Sequence, residues 1–375
     1  MGTTANDPLD ILFVLDNLSG GGAQRVAVNL ANGLQARGHR VRVLLFEHRG
    51  PLRGALAPAI QVIELGIGRA RHALWPLARM IGALRPGVVL SFLPHVNVLA
   101  ILAARLAGGA SPVVVTEHNQ PDPVLLAMMS PGYARATRLA RLLYRFAAAL
   151  VCCTPGIRQA WVTGRGLRAD RVHAVHNPVV TAEMLDGTGR PPAHPWARDP
   201  SVPLIAAAGR MSAEKDLAML LRAFARLRQG RAARLLLMGN GVLRPELEAL
   251  AAALGIADDV DMPGYVDDPH GVFRAAQVVA VSSVSEGFSN VVIEALACGT
   301  GVVVTDCFSP ADRLTMHGWV QAMVPVGDDA AMARALAEAI DAPSDPDALR
   351  AHVSGLTSAA AIDNYEAVLR RVLAR

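Results

Sequence analysis

Apolar residues along this chain fall into two alternating textures. Short, nearly unbroken runs stand at 11–15 (ILFVL), 41–46 (VRVLLF), 88–93 (VVLSFL), 112–117 (PVVVTE), 150–154 (LVCCT) and 172–177 (VHAVHN). Runs of that length without polar alternation predict strands buried on both faces. Between them lie stretches whose apolar positions recur at three and four residues, such as AQRVAVNLANGLQARG over 23–38, with Gly38 placed as a helix stop. Strand and helix in alternation predict a parallel, doubly wound sheet. The pattern lapses over 179–203, where TGRPPAHPWARDPSVP is rich in Pro and Gly and aperiodic; this predicts a linker. A second series follows at 204–209, 234–239, 261–265, 278–283 and 301–306, and the last segment, 358–375, reads as one amphipathic helix. The expected organisation is two Rossmann-like α/β domains, 1–180 and 181–375, facing each other across a cleft, with the final helix free to pack back on the first.

A length of 375 residues fits two domains of roughly 150 to 200 each. Aromatics make up only 4% of the chain, which favours helices on parallel strands over a β-sandwich. No stretch reaches the roughly 18 apolar residues of a membrane span, and MGTTANDPLD lacks the basic start of a secretory signal. Cys152, Cys153, Cys298 and Cys307 show neither zinc spacing nor a disulfide framework, so a reducing, cytoplasmic setting is expected. Charge is divided unevenly. Residues 1–180 hold 19 arginines against 8 carboxylates, a balance of +11, and the remainder stands at −7. The first half is therefore expected to meet something anionic. No aromatic-interleaved basic motif suggests nucleic acid, so a membrane surface or a phosphate-bearing acceptor is the expected partner.

Two stretches carry candidate chemistry. In SEGFSNVVIEALACG (285–299), Glu286 and Glu294 are eight residues apart. On one helix that spacing is about 12 Å, beyond the roughly 5 to 9.5 Å between paired carboxylates of glycoside hydrolases. With Glu286 in a turn and a helix starting near Ser289 or Asn290, the two project at different levels. They read as two grips on an elongated ligand, or, taken alone, as two surface glutamates. The N–H groups of Gly287 and Phe288 with the helix start would form an anion and hydroxyl site. In AAAGRMSAEKDLAMLLRAF (206–224), Arg210 and Lys215 flank a strand-to-helix turn, and Lys215 is the only lysine of the chain. A compact ammonium beside a forked guanidinium suits phosphate, although chance charges on a solvated turn would read the same way.

GR-x4-KD (209–216), MGNG (238–241), MPGYVDDP (262–269) and the E-x7-E segment together resemble the retaining nucleotide-sugar glycosyltransferases of family 4, of the GT-B fold. SGGGAQRVAVNLANGLQARGH (19–39) and VVVTEHN (113–119) are similar to that family's acceptor-domain glycine loop and strand-end histidine. The resemblance implies metal-independent, retaining transfer of a sugar, an N-acetylhexosamine on UDP being the closest analogy, to a glycan or lipid-linked acceptor. It implies that Arg210 and Lys215 hold the donor diphosphate and Glu294 the ribose. Glu286, Gly287 and Phe288, with Ser289 and Asn290 beside them, would hold the sugar, and Gly264 would line the donor site. It implies also that Gly22 approaches the diphosphate, that Gly21 and Gln24 meet the acceptor, and that His118 sits beside the transferred sugar. No cofactor and no metal are implied; Asp259-x-Asp261 is expected to be solvated turn rather than a cation site. Gln24 stands where the family more often has Glu, and Asp312 stands for a Glu after the last motif. Rival readings are a nucleotide-sugar epimerase of the same fold, a two-lobed binding protein, and an NAD-dependent oxidoreductase. The last rests on Gly20-x-Gly22 and Glu47, with Arg25 where a third glycine belongs.

PGYARATRLARLLYRFAAAL (131–150) reads as a helix with Arg138, Arg141 and Arg145 on one arc and Leu139, Leu142 and Phe146 beside them. Taken alone it reads as an ordinary Rossmann helix, apolar side on the sheet and arginines in water. The +11 balance of the first half and a lipid-linked acceptor favour instead reversible docking of that arc on an anionic bilayer, which would place the protein on the inner face of the cell membrane.

Overall fold

The computed structural model describes residues 7–375 apart from 49, 69, 121, 122, 129 and 193. It divides into two compact units, Met1–Pro178 with Ser358–Arg375, and Val179–Thr357.

The first unit holds strands β1 (Asp10–Leu15), β2 (Arg40–Leu45), β3 (Gln61–Glu64), β4 (Val88–Phe92), β5 (Val113–Glu117), β6 (Ala149–Cys152) and β7 (Val172–Ala174). They pair in parallel in the order β3-β2-β1-β4-β5-β6-β7. Helices α1 (Gly22–Ala36), α2 (Leu74–Leu84), α3 (Pro94–Leu106), α4 (Pro123–Met128), α5 (Pro131–Leu143) and α6 (Pro155–Val162) belong to the crossovers. All five residues of β4 and of β5 are buried, as continuous apolar runs require when helices cover both faces.

The second unit holds β8 (Leu204–Ala208), β9 (Arg234–Met238), β10 (Val260–Gly264), β11 (Val278–Val281), β12 (Val302–Thr305) and β13 (Ala322–Val324), again all parallel, in the order β10-β9-β8-β11-β12-β13. Its helices are α7 (Ala182–Leu185), α8 (Leu217–Arg228), α9 (Arg244–Ala253), α10 (His270–Ala275), α11 (Asn290–Ala297), α12 (Pro310–Trp319), α13 (Asp329–Asp341) and α14 (Pro346–Val353). Leu220 and Phe224 of α8 and Met332 and Leu336 of α13 bury their side chains with Leu235 and Leu237 of β9 in one core. Burial of each such side chain contributes about 1.5 to 3 kcal/mol.

The last helix, α15 (Ser358–Leu373), belongs to the first unit. Gly33 of α1 admits it closely: a Cβ there would fall 2.1 Å from Ile362 Cδ1. Arg37 then pairs with Asp363 at 2.7 Å and Glu366 at 3.1 Å. With α15 included, the first unit carries 22 arginines against 10 carboxylates.

Three expectations change. The segment 179–203 is no plain linker but part of the second unit, carrying α7 and a 3-10 turn at Pro195–Arg198 capped by the His194 ring, which accepts from Trp196 N at 3.2 Å. Short turns leave no period to read. The helix expected to run to 150 ends at Leu143, and Arg145 and Phe146 lie on a 3-10 turn before β6. Asp259 and Asp261 are not merely solvated: Arg228 holds Asp259 at 2.6 Å and His194 holds Asp261 at 2.8 Å.

Candidate functional site

In the second unit the strand order reverses between β8 and β11, the crevice where doubly wound sheets take ligands. The chain leaves β8 through Arg210 and a 3-10 turn, Ala213–Lys215, then enters α8 through Asp216 at φ 40°. Asp216 accepts from Met219 N at 3.2 Å, a side-chain cap that ends the turn where the lysine stands. The Ser282 hydroxyl, just past β11, donates to Lys215 O at 2.7 Å. Backbone and neighbour together hold Lys215 at the switch point.

From β11 the chain turns through Ser283, and Glu286 N donates to Cys307 O at 2.9 Å, tying the turn to the end of β12. This sets the Glu286 carboxylate against the lysine. Lys215 Nζ meets Glu286 Oε1 at 2.5 Å, and the Ser283 hydroxyl donates to the same oxygen at 2.6 Å. The lysine side chain stays 27% exposed and the glutamate 11%, so the pair faces solvent mainly through the ammonium. Gly287, Phe288 and Ser289 are buried, and Ser289 takes φ 48° to start α11 without a side-chain cap. Glu294 lies on α11 and is 7% exposed, four residues beyond the helix start, so the two glutamates do occupy different levels. Arg210 is exposed at the end of β8 and makes no ion pair among the described residues.

The glycines of the second motif serve the backbone. Gly239 N donates to Gly264 O at 2.7 Å and Gly209 N to Met238 O at 2.9 Å, lacing the ends of β8, β9 and β10 together. Ser309 and Asp312 cap α12 reciprocally, hydroxyl to carboxylate at 2.7 Å and amide to hydroxyl at 3.0 Å. Asp312 thus has a structural partner that its place in the motif did not suggest.

The first unit reverses strand order between β1 and β4. Gly20, at φ 98°, turns the chain from β1 toward α1, for which Gly21 is the N-cap. Gly22 is exposed, whereas Gln24 is largely buried, its amide 3.5 Å from Asp16 Oδ1. His95, at the start of α3, reaches the other Asp16 oxygen at 3.4 Å. Asp16 and His95 are candidate residues that the motifs did not single out.

His118 follows β5. Its ring stacks on Phe92 with centroids 5.8 Å apart, Nδ1 lies 3.2 Å from Asn177 Oδ1, and Nε2 lies 3.1 Å from Thr116 Oγ1. Burial pushes its pKa down to about 4, with the Asn177 hydrogen bond opposing. At neutral pH the imidazole is therefore uncharged, suited to hydrogen bonding rather than to carrying a proton. Beneath it, Glu117 is buried and accepts from the Tyr144 hydroxyl, which itself accepts from Asn97 Nδ2 at 2.8 Å. Burial raises the Glu117 carboxyl to about 7, while Tyr144, Arg165 and Asn97 pull it back.

These adjacent shifts oppose each other. Below its unfolded pKa of 6.5, His118 binds a proton only in the unfolded chain, so its contribution to stability is lost as pH falls toward 4. Glu117 binds one only in the folded chain, so its contribution is present below 4.5 and lost as pH rises toward 7. Between pH 4.5 and 6.5 the two cancel. Glu117→Gln should leave His118 uncompensated, so that stability drops with falling pH by up to about 1.4 kcal/mol per unit relative to the parent's slope. Denaturant melts at pH 4.5, 5.5 and 6.5 measure it; parallel pH slopes for variant and parent would disprove the compensation.

Two family models match this chain: "Glycosyltransferase Family 4" over residues 20–183 and "Glycosyl transferases group 1" over residues 202–342. An N-acetylgalactosamine-N,N'-diacetylbacillosaminyl-diphospho-undecaprenol 4-alpha-N-acetylgalactosaminyltransferase of Campylobacter jejuni is 30% identical over 223 residues, covering 60% of this chain and 58% of that protein. The lipopolysaccharide core biosynthesis glycosyltransferase LpsE of Rhizobium meliloti is 30% identical over 243 residues, covering 60% and 67%. Among solved structures, a glycosyltransferase of Rickettsia africae superposes with a TM-score of 0.76 at 16% identity over 98% of this chain and 99% of that one. Anabaena HepE, solved with UDP and glucose, superposes at 0.74 with 19% identity over 95% and 98%. At such identities the structural likeness speaks to the fold.

Proposed function

The chain belongs to the family 4 glycosyltransferases of the GT-B fold, and from that premise we propose that it moves a sugar from a nucleoside diphosphate to an acceptor hydroxyl in glycolipid or polysaccharide assembly. The observation that carries this reading is the contact of Lys215 Nζ with Glu286 Oε1 at 2.5 Å, where strand order reverses. It joins a cation fit for a diphosphate to a carboxylate fit for sugar hydroxyls. UDP is the proposed nucleotide and an N-acetylhexosamine the proposed sugar, by analogy with the Anabaena and Campylobacter proteins.

The barrier in such a transfer is charge separation. As the bond from the anomeric carbon to the phosphate oxygen breaks, the sugar becomes oxocarbenium-like and the diphosphate gains charge. Arg210, Lys215 and the backbone N–H groups of Gly287 and Phe288 stabilise the departing charge without a metal. The acceptor oxygen bonds to the anomeric carbon from the face just vacated, and the leaving phosphate oxygen takes its proton, so configuration is retained. Glu286 grips the sugar and Glu294 the ribose. In the first unit, Gly21, Gly22 and Gln24 serve the acceptor and the donor phosphate, and neutral His118, its ring nitrogens turned to Asn177 and Thr116, sits beside the sugar.

A panel of sugar nucleotides, assayed for released nucleoside diphosphate with and without EDTA, tests this. Glu286→Gln should change which sugar is preferred, and Glu294→Gln should weaken all donors and free nucleoside diphosphate alike. Identical profiles for the two variants would return both carboxylates to one role.

A membrane-borne acceptor, with the protein peripheral to the inner face, completes the proposal. Leu139 and Leu142 of α5 and Phe146 beyond it are 42%, 59% and 41% exposed, with Arg138, Arg141 and Arg145 exposed among them. The guanidiniums of Arg105 and Arg145 lie 4.1 and 4.8 Å from the Phe146 ring centre. Apolar side chains ringed by arginine favour an anionic bilayer, at roughly 1 kcal/mol per basic residue near the surface. Co-sedimentation with anionic but not neutral vesicles, reversed by about 0.5 M salt, is expected; equal binding to both would refute electrostatic docking.

A further inference from the structure

Along the outer edge of the first sheet, β7 and the last turns of α15 enclose a groove of about 520 Å3. We infer that this groove binds a phosphate or diphosphate group, as a site separate from the sugar-nucleotide site of the second unit. Its lining carries Arg158 of α6, Arg371 and Arg375, His173 of β7 and a single acidic side chain, Asp170. That carboxylate is already engaged: Arg168 pairs with it at 3.1 Å and Arg375 reaches it at 3.6 Å. Arg371 is exposed and makes no ion pair among the described residues.

Arg158 is fixed in place by the unpaired edge of the sheet. Its Nε donates to Val172 O at 2.9 Å and one terminal nitrogen lies 3.4 Å from Ala169 O. A guanidinium has five N–H groups, so three remain to point elsewhere. The field inside the groove is legible in His173. Burial lowers its pKa, and repulsion from Arg371, Arg375 and Arg158 lowers it further, with only Asp170 opposing. Arginines at a helix C-terminus would complement the helix dipole without any ligand. That account does not bring Arg158, from another helix, and a strand histidine to the same concavity.

Guanidinium forks match phosphate oxygens, and the volume falls within the roughly 300 to 1,000 Å3 of small-molecule sites. Val175 and Val368 add apolar wall for the body of such a ligand. Two residues past Val175 the chain reaches Asn177, which faces His118 at 3.2 Å, so a ligand on this edge sits on the segment that positions the histidine. The phosphate could be that of a lipid headgroup or of a free phosphometabolite, and the two sources are separable.

The full chain, labelled at histidine, is titrated by NMR with inorganic pyrophosphate and with soluble dihexanoyl phosphatidic acid; dihexanoyl phosphatidylcholine is the control. Bound phosphate should raise the His173 titration midpoint by about one pH unit, because an anion replaces repulsion with attraction. Arg371→Gln should weaken binding about tenfold or more, whereas Lys215→Ala should leave the His173 response intact. A response to pyrophosphate identifies a free phosphate ligand, and a response to the lipid alone identifies a headgroup. If neither probe moves His173 at low salt, or if Arg371→Gln binds as the parent does, the site does not exist. The titration of the parent decides the matter even if the variant fails to fold.

Discussion

Lys215→Ala should lower turnover by about 10²- to 10³-fold while the donor Michaelis constant rises far less, because the ammonium acts mainly on charge that develops in the transition state. The thermal midpoint should hardly move. The lysine side chain is 27% exposed, and its backbone contacts, Ser282 Oγ to Lys215 O at 2.7 Å and the capped start of α8, survive the substitution. A second effect adds to the loss. Without Lys215, the Glu286 carboxylate keeps, among the described residues, only the Ser283 hydroxyl, and it faces the donor phosphates as an uncompensated like charge. Lys215→Ala combined with Glu286→Gln should therefore lose less than the sum of the two single losses, since they share one interaction. Steady-state kinetics of the four proteins settle this. Turnover of Lys215→Ala within threefold of the parent, or strict additivity, would remove the lysine from the proposed mechanism.

Gly239→Ala should be strongly damaging although it adds only one methyl group. Gly239 stands at φ 137°, and a Cβ there would lie 1.9 Å from Gly209 O, a backbone atom with no side-chain freedom to yield. Strain and clash together should cost about 3 kcal/mol or more, a fall of roughly 6 to 12 °C in melting temperature. Because Gly239 and Gly209 are laced into the turn that presents Arg210, activity should fall with stability. Gly108→Ala is the control: it too has positive φ, 96°, but nothing lies within 4 Å of the added carbon, so only about 1 to 2 kcal/mol of conformational strain is expected. If the two variants melt together, the close approach of the two loops is wrong.

The contrast between those glycines shows where reading the chain succeeds and where it stops. MGNG announces a tight backbone, but which atom its missing side chain makes room for depends on β8 and β9 lying side by side. Central strands were legible because residues covered on both faces must be apolar without interruption, as in Val113–Val115. Edge strands β3 and β13 were not: all four residues of β3 and two of the three of β13 are only partly buried or exposed, so their apolar runs are short and broken. The helix over 131–150 was overextended because Tyr144, Arg145 and Phe146 continue a helical pattern locally, while β6 needs the chain extended from Ala149.

At the site, the sequence by itself determined the residue types and the strand ends that carry them: a lone lysine after β8, glutamates in and after the turn beyond β11, a histidine after β5. Tertiary structure decided the partnerships. Lys215 and Glu286 are 71 residues apart and meet because β8 and β11 are neighbours where the strand order reverses. Asn177 finds His118 across 59 positions, and Asp261 is claimed by His194 across 67. The groove of Arg158, His173 and Arg371 joins residues from α6, β7 and α15. Local pattern reports how a segment buries its own apolar face; it cannot report which distant charge the folded sheet will place beside it.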